Sequence, residues 1–321
     1  MQQNTVNESF QNATGVIPYG MTNDYMFRAI LQKNKRVLKG LICSLLHLDP
    51  QDVKSVEITN PIQLGDNIDD KEFVLDIHVL MNDNTIINLE MQVTNERNWL
   101  DRSLGYLCRA FDQLRHGQNY SEAKPVFHIG FLDFTPFPDS PEFYSTYKLL
   151  NVKNHRKYSD KFALSVVDLT QIELATEEDK ASQIDYWARL FKATTWEEIR
   201  MIAKDNEYLK EASETLYELN ADQMIQERCY ARRCFMVNQN ITNQEMERLT
   251  AENAALNREK EAWTEEKEAW TEEKEAWSEE KEAWTEAKEA WSEEKEALTA
   301  KIKALEEQNA ALAAEKKARP E

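Results

Sequence analysis

Asp76, Glu90 and Gln92 stand in the pattern D-x13-E-x-Q inside the stretch FVLDIHVLM-NDN-TIINLEMQV, residues 73–93. Both arms alternate in polarity, and Asn82, Asp83 and Asn84 between them are turn formers, so the stretch reads as a β-hairpin. With a three-residue loop Met81 pairs with Thr85, and Asp76 then lies opposite Glu90 with both side chains on one face. A loop of two or four residues would shift the register and send them to opposite faces. Two carboxylates that close repel each other and need a cation or a proton between them. Mg²⁺ or Mn²⁺ takes hard oxygen ligands of this kind, polarises a phosphodiester and acidifies an attacking water. Gln92, on the Glu90 face, would orient or help activate that water.

Taken alone, the three residues fit an exposed polar stripe on a half-solvated sheet better than a metal site. The other polar groups nearby have equally plain readings. His78 shares the Asp76 face and suits packing or a phosphate contact. Asp24 suits a first-turn charge favoured by the helix dipole, with membership of the acidic site as the second reading. Lys71, Arg102 and Arg109 read first as solvated surface charges, and second as a basic contribution to the site.

The elements that must hold this hairpin are legible around it. Thr22 or Asn23 caps a helix with Met26, Phe27, Ile30 and Leu31 at helical spacing. A second helix runs through Val37 to Leu46 and is ended by Asp49-Pro50. Val53 to Ile58 reads as a short strand, and an acidic loop over residues 65–70 leads into the hairpin. Asp101 to Gly117 reads as an amphipathic helix closed by Gly117. PVFHIGFLDF (125–134) is a nearly continuous apolar run, the mark of a buried strand. Residues 144–150 and 162–169 are further strands, and from about 177 to 238 the pattern is helical throughout. The expected fold class is α/β, a mixed sheet flanked by helices, then a helical subdomain and a long C-terminal coiled coil.

The tail carries the most regular signal. Leu249, Leu256, Trp263, Trp270, Trp277, Trp284, Trp291, Leu298, Leu305 and Leu312 are spaced by seven, and KEAW[TS]E[EA] repeats five times. Met246, Asn253, Ile302 and Asn309 fall three residues before a Leu of this column, which sets the Leu/Trp column at heptad position d. Position a inside the repeats is Lys (Lys267, Lys274, Lys281, Lys288, Lys295), which weakens a coiled coil but can lay its stem on Trp faces. The Trp column reads as an oligomer seam, and Asn at a near both ends favours a parallel, in-register dimer.

The 321 residues carry a net charge of −19. The tail from Ile241 holds 13 Lys and Arg against 23 Asp and Glu, and the rest holds 26 against 35. Neither part is basic, which counts against wholesale electrostatic binding of nucleic acid but permits a local basic groove. Four cysteines without CxxC spacing, no basic-apolar leader and no membrane-length apolar run make a cytoplasmic protein the expectation. A metal pair at Cys229 and Cys234 is disfavoured, because no His or further Cys lies near them.

Several motifs in order carry a family resemblance over roughly residues 20–235. MTNDYMFRAIL (21–31), the hairpin LDIHV…IINLEMQ (75–92), DRSLGYL (101–107), KPVFHIGFLDF (124–134) and WARLFKATTWEEI (187–199) resemble the recombination-promoting nuclease (Rpn) family. This is a group of the PD-(D/E)XK superfamily, often labelled nuclease-family transposases. The resemblance implies a PD-(D/E)XK nuclease-like core, Mg²⁺-dependent DNA endonuclease activity promoting recombination or mobile-element activity, Asp76 and Glu90 as metal ligands, and DNA as partner. It also reverses the order of the two readings of Asp76, Glu90 and Gln92. Where the superfamily motif has Lys this chain has Gln92, which carries no charge; the same substitution is usual in this group.

The expected organisation is a lead-in at 1–20, the nuclease-like core at 21–175, a helical subdomain at 176–240, a heptad coiled coil at 241–315 and a short tail at 316–321. The expected assembly is a homodimer or higher homo-oligomer. The competing function is a catalytically inactive nuclease fold acting as a coiled-coil interaction protein.

Overall fold

The computed structural model describes residues 9–60, 77–82, 84–112, 114 and 116–317. They divide into two compact units, with the boundary between Asn243 and Gln244.

The first unit begins with two helices whose starts follow from asparagine caps. Asn23 Oδ1 accepts from the Met26 amide to open α1 (Asp24–Lys33). Asn34 Oδ1 accepts from the Arg36 and Val37 amides to open α2 (Lys35–Leu46). An asparagine at this position satisfies amides that have no partner inside the helix. The second helix does not run to Asp49-Pro50. It stops at Leu46 because His47 adopts a left-handed conformation (φ 52°) and closes the last turn.

Six strands follow: β1 (Val56–Ile58), β2 (Ile77–Met81), β3 (Thr85–Gln92), β4 (Val126–Leu132), β5 (Tyr144–Lys148) and β6 (Phe162–Asp168). They form one mixed sheet in the order β1-β2-β3-β4-β6-β5. The β2–β3 hairpin is antiparallel with Met81 opposite Thr85, so its loop is three residues long. Asn82 fixes that loop to the preceding segment. Its amide oxygen accepts from the Lys54 and Ser55 backbone, and its amide nitrogen donates to the Asp52 carbonyl. The pairs β3–β4 and β4–β6 are parallel, while β5 lies antiparallel to β6 at the sheet edge.

Both faces of the sheet are covered. One face carries Ile77, Val79, Ile87, Leu89, Met91, Ile129 and Phe131, packed into the main core with α1, α2 and the later helices. Those helices are α4 (Glu177–Ala181), α5 (Ile184–Lys192), α6 (Trp196–Ile202) and α7 (Glu207–Asn220). Phe27, Phe131 and Phe191 meet edge-to-face at its centre, with centroids 5.2–5.6 Å apart. The other face is covered by α3 (Trp99–Phe111), which sets Trp99 and Leu107 against Val126, Leu132, Leu164 and Val166. This helix ends at Phe111, not at Gly117, because the Asp112 backbone leaves the helical region while its amide still bonds the Cys108 carbonyl.

The last helix, α8, spans Gln223–Lys317. Ile225 and Cys229 near its start are buried in the main core. Burial pushes the Cys229 thiol up to about 12, with Asp24 adding to the shift. Among the described residues no cluster of three metal-binding side chains forms there or elsewhere. In the second unit every described side chain from 244 to 313 is exposed. No described helix is long and apolar enough to cross a membrane.

Candidate active site

β3 presents Ile86, Asn88, Glu90 and Gln92 toward α3, and this face is buried rather than half-solvated. Asn88 is 1 % exposed, Glu90 3 % and Gln92 8 %. The exposed-stripe reading of these residues is therefore wrong: α3 lies over them and removes the water. Its approach depends on β4, where Gly130 stands opposite Glu90. A Cβ at Gly130 would run into the ring of Trp99, so the bare backbone is what lets α3 settle this low.

A carboxylate buried here needs compensation. Arg102, one turn into α3, supplies it with Nη2 2.8 Å from Glu90 Oε1, and it also reaches Glu96 at 3.3 Å. Burial works against the Arg102 charge, but Glu90, Tyr106 and Glu96 outweigh it and hold the guanidinium above its ordinary value. Arg102 also lies over the Tyr106 ring, 5.4 Å from its centroid. This corrects the reading of Arg102 as a solvated surface charge.

On the second carboxylate oxygen, His128 Nε2 of β4 lies 3.7 Å from Glu90 Oε2. The Asn88 amide nitrogen is 2.9 Å from His128 Nδ1. If that amide donates, the ring proton sits on Nε2, the nitrogen facing Glu90. Trp99 and Tyr106 enclose the imidazole, with centroids 5.6 and 6.1 Å away. The Gln92 amide nitrogen donates to the Thr94 carbonyl at 2.9 Å, so its oxygen is the group it can offer to the site.

The register extends as far as Ile77 opposite Leu89. Asp76 and Lys71 lie outside the described residues, as do the loop at 65–70 and Asp83. His78 pairs with Asn88 across the hairpin and lines a cleft of ≈ 580 Å³ with Asn60, Asn88, Tyr106, Arg109 and Lys124. Asp24 is taken up elsewhere. Arg232 of α8 grips its carboxylate through Nε at 2.8 and 2.7 Å and Nη2 at 2.5 Å. Burial raises the Asp24 pKa and the Arg232 contacts offset part of that rise. His128, Asn88, Trp99 and Tyr106 were not read as site residues in the sequence. The available signal was the single histidine in the apolar run of β4 and the Arg102-x-x-x-Tyr106 spacing, which puts both on one helix face.

The fold agrees with a family comparison. The family model described as PD-(D/E)XK nuclease family transposase matches residues 21–245. The chain belongs to that family. PD-(D/E)XK nucleases typically use divalent metal ions, and membership suggests a nuclease linked to mobile elements. No curated protein and no solved structure matches the chain.

Proposed function

We propose that the protein is a divalent-metal-dependent DNA endonuclease that promotes recombination or mobile-element activity. The observation that carries this reading is Glu90, a buried carboxylate on a central strand of a family-matched sheet, in a hairpin whose described pairs run to Ile77 opposite Leu89. Continued by one more pair, that register would set Asp76 opposite Glu90.

The donor set suits the ion. Asp76, Glu90 and the Gln92 amide oxygen are hard oxygen ligands of the kind Mg²⁺ and Mn²⁺ accept. When bound, the ion would polarise the scissile phosphodiester and lower the pKa of the attacking water. The chain's own residues do the rest. Arg102 on Oε1 fixes the rotation of the Glu90 carboxylate, and His128 faces Oε2. Gln92 would orient the water by hydrogen bonding and cannot take its proton, because an amide does not titrate. His78, Tyr106, Arg109 and Lys124 give the adjoining cleft donors for backbone phosphates, a local basic groove within an acidic chain.

Plasmid cleavage with Mg²⁺ or Mn²⁺ tests the assignment. Wild type should nick or linearise supercoiled DNA, and Asp76→Ala and Glu90→Ala should each reduce the rate at least 100-fold. Equal activity in wild type and Asp76→Ala rejects it.

A second reading is favoured by the same ion pair. Glu90 is already held by Arg102, as in a fold that has lost its metal and serves as an interaction protein. That reading expects no heat of Mg²⁺ or Mn²⁺ binding by calorimetry and no cleavage, with Gln92→Lys failing to restore either.

A further inference from the structure

In the second unit the Leu/Trp column has no neighbour to bury it among the described residues. The five tryptophans Trp263, Trp270, Trp277, Trp284 and Trp291 are 63–66 % exposed. A strict seven-residue spacing drifts about 20° per heptad around a straight helix, so such a column stays one stripe only when the helix winds around a partner. The lysines already sit beside this stripe. Nζ of Lys267, Lys274, Lys281, Lys288 and Lys295 lies 5.2–5.9 Å from the ring centroid of the tryptophan four residues earlier.

We propose that residues 246–312 pair with the same segment of a second copy as a parallel, in-register, two-stranded coiled coil, in which Trp layers at d alternate with Lys layers at a, and every a-position Lys of the repeats except Lys288 is neutralised across the seam by a Glu at g of the other copy. In that arrangement the residue just before each a position lies beside the facing a residue. The residues preceding Lys260, Lys267, Lys274, Lys281 and Lys295 are Glu259, Glu266, Glu273, Glu280 and Glu294. Lys288 follows Ala287 and is the one repeat lysine without this partner. Within its own helix a repeat lysine finds apolar or hydroxyl side chains, not Glu, three and four residues away, so no carboxylate of its own helix stands at the spacing that would pair with it.

The pattern also selects the orientation. Position e in the repeats is Thr or Ser, and Thr264, Thr271 and Thr285 turn their hydroxyls onto carbonyls of their own helix at 2.8–2.9 Å. Parallel strands therefore set Glu at g against a neutral row. Antiparallel strands over the same span would set Glu against Glu along the g rows. They would also place Asn253 against Leu305 and Asn309 against Leu249, leaving amides unpaired in apolar layers. Parallel strands in register pair Asn253 with Asn253 and Asn309 with Asn309.

The test uses the full chain in a Cys108→Ala, Cys234→Ala background. Sedimentation equilibrium should give twice the chain mass. Leu249→Cys and Leu312→Cys should each form a disulfide-linked dimer on mild oxidation. A monomer, a trimer, or cross-linking only when the two cysteine variants are mixed overturns the parallel pair. Glu266→Lys, Glu273→Lys and Glu280→Lys together should raise the dimer dissociation constant at least tenfold at low salt. An unchanged constant overturns the Lys–Glu seam.

Discussion

Arg102 reaches from α3 to place its Nη2 2.8 Å from Oε1 of Glu90, on the buried face of β3. This contact joins the helix over the site to the strand beneath it. Arg102→Met should leave a carboxylate buried without its cation and cost about 3 kcal/mol in urea denaturation. Arg102→Lys should recover only part of that, because an ammonium cannot reproduce the guanidinium geometry. Wild-type stability in Arg102→Met would show that the pair does not hold α3 down.

Gly130 is the position that admits Trp99 to the sheet. Gly130→Ala should destabilise the fold by about 1–3 kcal/mol through overpacking. Adding Trp99→Leu should relieve part of that loss, since the clashing ring is gone. A double variant whose deficits simply add would contradict the direct contact.

Asp24 and Arg232 make stability depend on pH in a definite direction. Burial raises the folded Asp24 pKa above 3.8, and Arg232 opposes that rise. Between 3.8 and its folded value the native state binds the extra proton, so this group's contribution to stability falls as pH rises through that window. Arg232→Met removes the opposing charge and moves the folded value further up. Its stability deficit should be about 3 kcal/mol at pH 7 and should shrink as the pH falls and the Asp24 carboxylate takes up a proton. A deficit that is constant from pH 4 to pH 7 would separate the two residues energetically.

Arg109 and Lys124 line the cleft that Asn88 and Tyr106 also line. If the cleft tracks a DNA backbone, Arg109→Ala and Lys124→Ala should each weaken binding whatever the base sequence. Each should also reduce the slope of log K against log salt by about 1. Binding measured by fluorescence anisotropy at two or more salt concentrations checks this. An unchanged slope in both would put the DNA elsewhere.

Much of the architecture follows from local patterning alone. Alternation with period two marked β2 and β3; the turn formers between them left a loop of two, three or four residues open, and the structure has the three-residue loop that pairs Met81 with Thr85. Seven-residue spacing marked the last helix. The D-x13-E-x-Q pattern with its flanking motifs indicated the family, because each motif is short and they stand in order along the chain. Helix ends were less legible. His47 and Asp112 stop α2 and α3 by backbone conformation, whereas the proline and glycine further on are the stronger signals in the sequence.

The setting of Glu90 was decided only by tertiary structure. Its strand alternates apolar and polar residues, and alternation by itself says that two faces differ, not that the polar one is dry. That depends on α3 crossing from residues 99–111 onto β4, on Gly130 leaving room for Trp99, and on Arg102 arriving beside the carboxylate. Each is a contact between segments separated in the chain, where a charge on a helix face looks the same whether it meets solvent or a buried glutamate. Asp24 shows the same limit. A first-turn acid could be read from the start of α1, but its partner Arg232 lies more than two hundred residues away on α8.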